Sequence, residues 1–204
     1  MTNGLDILIN LSMELQAIAQ NGLAYTTDKY DKERFERIRE ISAQIMSMKT
    51  ELPLDVVKDM FCNETGYQTP KIDTRAAVFC GNKVLLVEEQ GKWALPGGWV
   101  DYNESIAENI VKEEAGLDVS PVRLIAVQDR NKHNLPKYAY GIVKIFVLCA
   151  ITADGGFQPN NETTARGFFA IDELPVINEA KVAHSQIQMC FDAYKCEKWE
   201  VLFD

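Results

Sequence analysis

Residues 96–117 read PGGWVDYNESIAENIVKEEAGL, and the fold of the chain is read outward from them. Pro96-Gly97-Gly98 predicts a turn, because proline fixes φ and two glycines open conformations that other residues avoid. A helix follows. Ser105 with Glu108 three residues later is a capping-box pair, each side chain closing on a backbone N–H that has no helical partner. Ile106, Ile110 and Val111 form an apolar stripe, and Gly116 is placed to stop the helix. Glu104, Glu108, Lys112, Glu113 and Glu114 take the other side. Carboxylates gathered at the mouth of a glycine turn suit a hard cation such as Mg²⁺, which takes oxygen ligands and bridges to substrate phosphates. The competing reading is a charged face that keeps an exposed helix in solvent, the commoner fate of a Glu-rich helix.

The tight turn, the Glu at a fixed offset and the Glu-Glu-Ala-Gly-Leu ending together resemble the Nudix hydrolase box. That box reads Gly, five residues, Glu, seven residues, Arg-Glu, an aliphatic, any residue, Glu-Glu, any residue, Gly and an aliphatic. Gly98 and Glu104 match its first landmarks with the family spacing. Seven further residues lead to Lys112-Glu113, where the family has Arg-Glu; counting back from Gly116-Leu117 makes Glu113-Glu114 the family's Glu-Glu. The chain is three residues short between the two counts, so both registers stay open. In the full box three carboxylates at i, i+3 and i+4 share one helix face. Losing three residues turns the downstream helix by about 300° and shortens it by about 4.5 Å. Glu113 and Glu114 remain, and as neighbours they point about 100° apart.

The resemblance covers residues 71–175, including LPGGW at 95–99 and FFAIDELP at 168–175. It implies an α/β fold, a Nudix α/β/α sandwich with a mixed sheet, preceded by a small all-α N-terminal domain. A helical N-terminus and the DRNKH loop at 129–133 look like a bacterial subgroup whose members hydrolyse CDP-choline or ADP-ribose. The implied activity is Mg²⁺-dependent cleavage, with Mn²⁺ the alternative ion, of the pyrophosphate bond in a nucleoside diphosphate linked to another moiety. The implied metal ligands are Glu113 and Glu114, with Glu104 peripheral and the Gly97 carbonyl a further candidate. Glu113, Glu114 and Glu162 are the candidate catalytic residues. Arg75, Trp99, Arg130, Lys132 and His133 are the candidate substrate-binding residues. Each has an ordinary reading beside this one: a solvated loop Glu162, a paired strand Arg75, a packing Trp99, a bystander His133. A surface ion pair of Glu108 with Lys112, four residues on, is the ordinary reading of those two.

The 204 residues, 47% hydrophobic and 25% charged, suffice for one well-buried core and a small appendage. A net charge of −9 argues against nucleic acid or an anionic membrane as partner. The five cysteines show no Cys-x-x-Cys spacing, and four sit in apolar or helical contexts that favour buried free thiols and a cytoplasmic location. No basic region precedes the first apolar stretch, so a signal peptide is not expected. The apolar run 142–151 contains Lys144 and is too short to span a bilayer.

Periodicity predicts an amphipathic helix over 5–21 ending at Asn21-Gly22, with Leu5, Leu8, Ser12, Leu15 and Ala19 on one stripe. A second helix, capped by Thr27 or Asp28, runs to about Lys49, with Ile38, Ile41, Ile45 and Met48 as a seam. A third covers 54–61 and closes at Gly66. Residues 1–66 form the expected N-terminal domain, too small to bury a good core alone, and therefore the expected seat of a homodimer and support for the substrate site. Residues 67–204 form the expected hydrolase domain. Within it a hairpin turns at Gly81-Asn82, short strands cover 93–95 and 122–129, a long central strand covers 140–150, a last strand covers 167–170, and a closing helix covers 178–196. Two further classes remain beside the enzyme: a Nudix fold that holds a nucleotide with little or no cleavage, favoured by the short box, and an interaction protein built on the N-terminal helices.

Overall fold

A computed structural model describes residues 4–111, 116–138, 140–160 and 163–204, the side chains of 4–6, 61 and 111 excepted. The chain divides into two compact units, residues 1–70 with 138–140, and residues 71–137 with 141–204.

The first unit carries α1 (Gly4–Tyr25), α2 (Lys29–Thr50) and α3 (Leu54–Phe61). Asp28 caps α2, its carboxylate accepting from the backbone N–H groups of Tyr30 and Asp31. Helix α1 runs through Asn21-Gly22, the expected stop, to Tyr25. A Cβ at Gly22 would lie 2.4 Å from the Phe35 ring, so this glycine serves a close helix crossing rather than a helix end. Helix α1 packs partly through its expected stripe, at Ser12 and Ala19, whereas α2 packs through a face other than its seam. Ser12, Gln16, Ala19 and Gln20 of α1 are buried, as are Ser42, Ala43 and Met46 of α2. Ser12 Oγ donates to the Ser42 carbonyl at 2.7 Å and Ser42 Oγ to the Ser12 carbonyl at 2.8 Å. Ile7, Leu11, Ile18, Ile41 and Met48 remain exposed on the single chain. Ile41, Ile45, Met48 and Leu54 line an apolar groove of about 430 Å³.

The second unit is built on seven strands: β1 (Lys71–Cys80), β2 (Lys83–Glu89), β3 (Lys92–Ala94), β4 (Leu117–Asp129), β5 (Ile142–Asp154), β6 (Ala165–Phe169) and β7 (Leu202–Phe203). Their order is β3-β2-β1-β5-β4-β7, with β6 on β2. The β1–β5 and β4–β7 pairs are parallel and the others antiparallel, so the sheet is mixed and β5 is central as predicted. The Gly81-Asn82 hairpin is present, with Gly81 at φ 58°. On one face Ala76, Val78, Leu85 and Val147 pack against Ile110 of α4 (Ile106–Val111). On the other, Ala77, Val84, Leu86 and Phe146 pack against Ile187, Cys190 and Phe191 of α6 (His184–Lys195). A short α5 (Arg130–His133) follows β4.

Several elements differ from the sequence reading, among them β5, which runs from Ile142 to Asp154 rather than over 140–150. Helix α6 begins at His184 rather than 178. The preceding backbone is used by the β3 edge, where Trp93 N–H donates to the Val176 carbonyl and Asn178 N–H to the Trp93 carbonyl. Strand β4 begins at Leu117, five residues before 122, because it follows β5 through several register shifts. Strand β7 has no periodic signal in two residues; it is held by Trp199 Nε1, which donates to the Ile125 carbonyl at 2.9 Å, and by Asp204, which accepts from Asp129 N–H. Of the five free cysteines only Cys149 and Cys190 are buried, and burial pushes the Cys149 thiol up to about 12; Cys80 and Cys196 are exposed and Cys62 is half-buried, fewer buried thiols than the sequence contexts suggest. Among the described residues no helix is long and apolar enough to cross a membrane.

Candidate active site

The glycine turn is laid along β1 by backbone hydrogen bonds. Thr74 N–H donates to the Gly98 carbonyl at 2.9 Å, Ala76 N–H to the Pro96 carbonyl at 2.8 Å, and Val100 N–H to the Ile72 carbonyl at 3.0 Å. The fit admits no side chain in the middle. Gly97 has φ 132°, and a Cβ there would sit 2.1 Å from the Thr74 carbonyl oxygen.

The start of α4 is tied to this turn. Ser105 N–H donates to Glu108 Oε2 at 2.7 Å and Glu108 N–H to Ser105 Oγ at 3.2 Å, so the capping box forms. These bonds, the Ser105 backbone N–H foremost, hold the Glu108 carboxyl below its usual range. Asn109 is buried on the same helix. It accepts from Thr74 Oγ at 2.5 Å and donates through Nδ2 to the Trp99 carbonyl at 2.9 Å and to Glu104 Oε2 at 3.0 Å. One amide therefore joins β1, the turn and a candidate metal ligand. Gly116, just before β4, has φ 62°, and its carbonyl accepts from Gly155 N–H.

The opposite face of β1 carries charge. Asp73 and Arg75 are buried, with Arg75 Nη2 on Asp73 Oδ1 at 2.6 Å and Nε on Oδ2 at 3.1 Å. Lys144 of β5, also buried, bonds Asp73 Oδ2. Burial pushes the Asp73 carboxyl up, but Arg75 and Lys144 outweigh it and hold the group below its ordinary value. Lys144 is lowered to about 8, first by burial and then by the like charge of Arg75, with Asp73 opposing.

The candidate residues fall into three sets. Gly97, Trp99 and Glu104 meet at the turn, with Trp99 exposed and Glu104 half-buried beside Asn109. Arg75 lies beneath the turn, its Nη1 donating to the Leu95 carbonyl at 3.1 Å. Arg130, Lys132 and His133 share α5. Arg130 is buried and donates to the carbonyls of Pro136 at 2.6 Å and Ala180 at 3.0 Å, so its guanidinium holds the loop that follows α5. His133 Nε2 lies 2.5 Å from Asp204 Oδ2, and Lys132 is exposed. Lys112, Glu113, Glu114 and Glu162 lie outside the described residues. Glu104 and the Gly97 carbonyl are hard oxygen donors of the kind Mg²⁺ takes. Among the described residues no cluster of three His, Cys, Asp or Glu side chains could hold an ion.

Sequence reasoning missed Asn109, Asp73 and Lys144. An Asn between Ile106 and Ile110 on an apolar stripe, and a Lys inside an apolar strand, were the available signals.

Residues 70–190 match the NUDIX domain, and residues 6–61 match a UDP-X-like, N-terminal oligomerisation domain. The chain belongs to the Nudix hydrolases. It is 41% identical over 198 residues to a Bacillus subtilis (strain 168) Nudix relative provisionally named ADP-ribose pyrophosphatase YjhB, 95% of each chain being covered. A crystal structure of an ADP-ribose pyrophosphatase from Streptococcus suis 89-1591 is similar at 46% identity and a TM-score of 0.62, covering 67% of this chain and 100% of that one. A UDP-X diphosphatase structure is similar along nearly the whole length, 98% of this chain and 99% of that one, at 31% identity and a TM-score of 0.63.

Proposed function

We propose that this Nudix protein is a Mg²⁺-dependent hydrolase of nucleoside diphosphates linked to a second group, with ADP-ribose the first substrate to test and CDP-choline the second. Mn²⁺ is the alternative ion. The observation that carries this reading is the 41% identity, over 95% of both chains, to a relative whose name is that of an ADP-ribose pyrophosphatase. In the reaction a water oxygen bonds to one phosphorus while the bond from that phosphorus to the bridging oxygen breaks. ADP-ribose then yields AMP and ribose 5-phosphate. The cation neutralises the diphosphate and polarises water when bound. Glu104, Glu113, Glu114 and the Gly97 carbonyl are its proposed ligands. Glu113, Glu114 and Glu162 are the proposed catalytic carboxylates, one of them taking the proton of the attacking water. Trp99 lines the nucleotide site, Arg75 lends positive charge, and Lys132 and His133 meet the distal group, with Arg130 supporting their loop.

Residues 1–66 act as the dimerisation domain in this reading, and the exposed Ile41 and Met48 with the groove beside them are the apolar surface for a second copy. Residues 67–204 act as the hydrolase domain. Light scattering at micromolar concentration is expected to give twice the 23.0 kDa chain mass. A monomer would sink the dimer. The proposed location is the cytoplasm.

The reading is tested by product formation from ADP-ribose and CDP-choline with Mg²⁺ and with chelator. Turnover that needs the cation is expected. Calorimetric binding of ADP-ribose without turnover would select the second reading, a nucleotide-binding module, which the box three residues short favours. Inserting an aliphatic, any residue and Glu between Glu113 and Glu114 satisfies both counts of the box. We expect at least about tenfold faster Mg²⁺-dependent turnover from it, about 1.4 kcal/mol of barrier. Equal turnover would mean that the short helix already builds a competent site.

A further inference from the structure

The charged cluster on β1 and β5 is not accounted for by the box. Asp73 and Lys144 are direct partners across the parallel β1–β5 pair, and Arg75 is the next residue on the same face of β1. The three are 4%, 2% and 5% exposed, respectively. As a source of stability such a cluster is poor, since desolvation of the charges offsets most of their attraction and apolar side chains pack such places well. Its geometry does something else. Asp73 grips Arg75 at two points, Lys144 holds Asp73, and the remaining Arg75 nitrogen reaches the Leu95 carbonyl, one residue before Pro96-Gly97-Gly98. A bidentate carboxylate fixes the plane of a guanidinium as well as its position.

We propose that Asp73 and Lys144 are positioning residues for the hydrolysis, acting through Arg75 to fix the glycine turn. This rests on the function proposed above. The groups facing Lys144 are Asp73 and Arg75 from β1, Gln128 from β4, which is neutral, and the charge of Arg130 from α5. Lys144 thus has one anion to hold. Transfer of a phosphoryl group depends on placement within fractions of an ångström, so loosening Arg75 harms turnover more than ground-state binding.

The test uses the full chain with Lys144→Met, Lys144→Arg and Asp73→Asn, each checked for folding by circular dichroism. Lys144→Met, of similar length and no charge, is expected to lower kcat for ADP-ribose at least about tenfold with KM changed less than about threefold. Lys144→Arg, which keeps the cation, is expected to restore most of the loss. Asp73→Asn carries the same expectation as Lys144→Met and decides the matter if that variant does not fold. Folded variants with wild-type kcat, or losses in kcat that only track the folded fraction and are not rescued by arginine, would overturn the proposal. If the wild type turns over no nucleoside diphosphate derivative, the hydrolase reading fails, and hydrogen exchange at the Thr74 and Ala76 amides, which bond the turn, then decides the pair. At least about tenfold faster exchange in folded Lys144→Met supports its hold on the turn, and equal exchange overturns it.

Discussion

Thr74 and Asp73 are neighbours on β1, yet they hold the glycine turn by different physics. Thr74 works with neutral groups: its N–H on the Gly98 carbonyl, its hydroxyl on Asn109, its own carbonyl packed against Gly97. Asp73 works with charge, through Arg75 and Lys144. Alternation along a strand sends the two side chains to opposite faces, one towards α4 and one towards the α6 layer. The contacts of Thr74 itself join neutral groups, and charge enters this side only through the Glu104 carboxylate that Asn109 also holds. The charged side is directional but depends on every partner keeping its proton state. A turn held from both faces is therefore rigid at neutral pH and unequally supported elsewhere.

The largest test removes what both faces share. Gly97→Ala drives a methyl into the Thr74 carbonyl, and we expect a loss of about 3 kcal/mol or more in urea unfolding, with activity lost beside it. Unchanged stability would mean that the turn is not pinned to β1 as described. Next is the neutral face. Asn109→Leu strands the Thr74 hydroxyl and the Trp99 carbonyl, for an expected loss of about 1–3 kcal/mol that is the same at pH 6 and pH 9. A loss that varied across that range would mean that a group titrating there governs these contacts.

Acid sharpens the contrast further. The Asp73 carboxyl is held below its unfolded value, so its contribution is complete above about pH 4 and is lost as pH falls through the lower, folded value. Asp73→Asn should start less stable at pH 7 and lose less between pH 5 and pH 2 than the wild type. Parallel stability curves would show that the carboxylate carries no such linkage. The smallest effect is at the exposed cap. Glu108→Gln keeps a side-chain acceptor for Ser105 N–H and should retain most of the Mg²⁺-dependent turnover.

Local chemistry made much of this legible in advance. The capping box and the Gly81-Asn82 hairpin each depend on a few adjacent residues, and each stands where its residues put it. Gly22 was misread because its reason is the Phe35 ring on another helix, which no local pattern contains. The apolar stripes of α1 and α2 were real, but periodicity cannot say whether a stripe meets its own chain or something else. Here Ser12 of the α1 stripe meets Ser42 within the chain, while Ile41 and Met48 of the α2 seam stay exposed. Lys144 looked like an interruption in a strand because its partner Asp73 is 71 residues away. For the candidate site, the turn and Glu104 could be placed from the box, whereas the amide of Asn109 that ties them together has no signature beyond its position on an apolar stripe.

Strand β7 is only Leu202–Phe203, but it pairs with the outer edge of β4 at Ala126 and Val127. A sheet edge presents unpaired amides and carbonyls that invite another chain to add a strand. Two residues, pinned by Trp199 on one side and Asp204 on the other, occupy that stretch of the edge. The last few residues thus serve as insurance against aggregation: a chain clipped before Trp199 would keep its turn and its box helix and gain a sticky border.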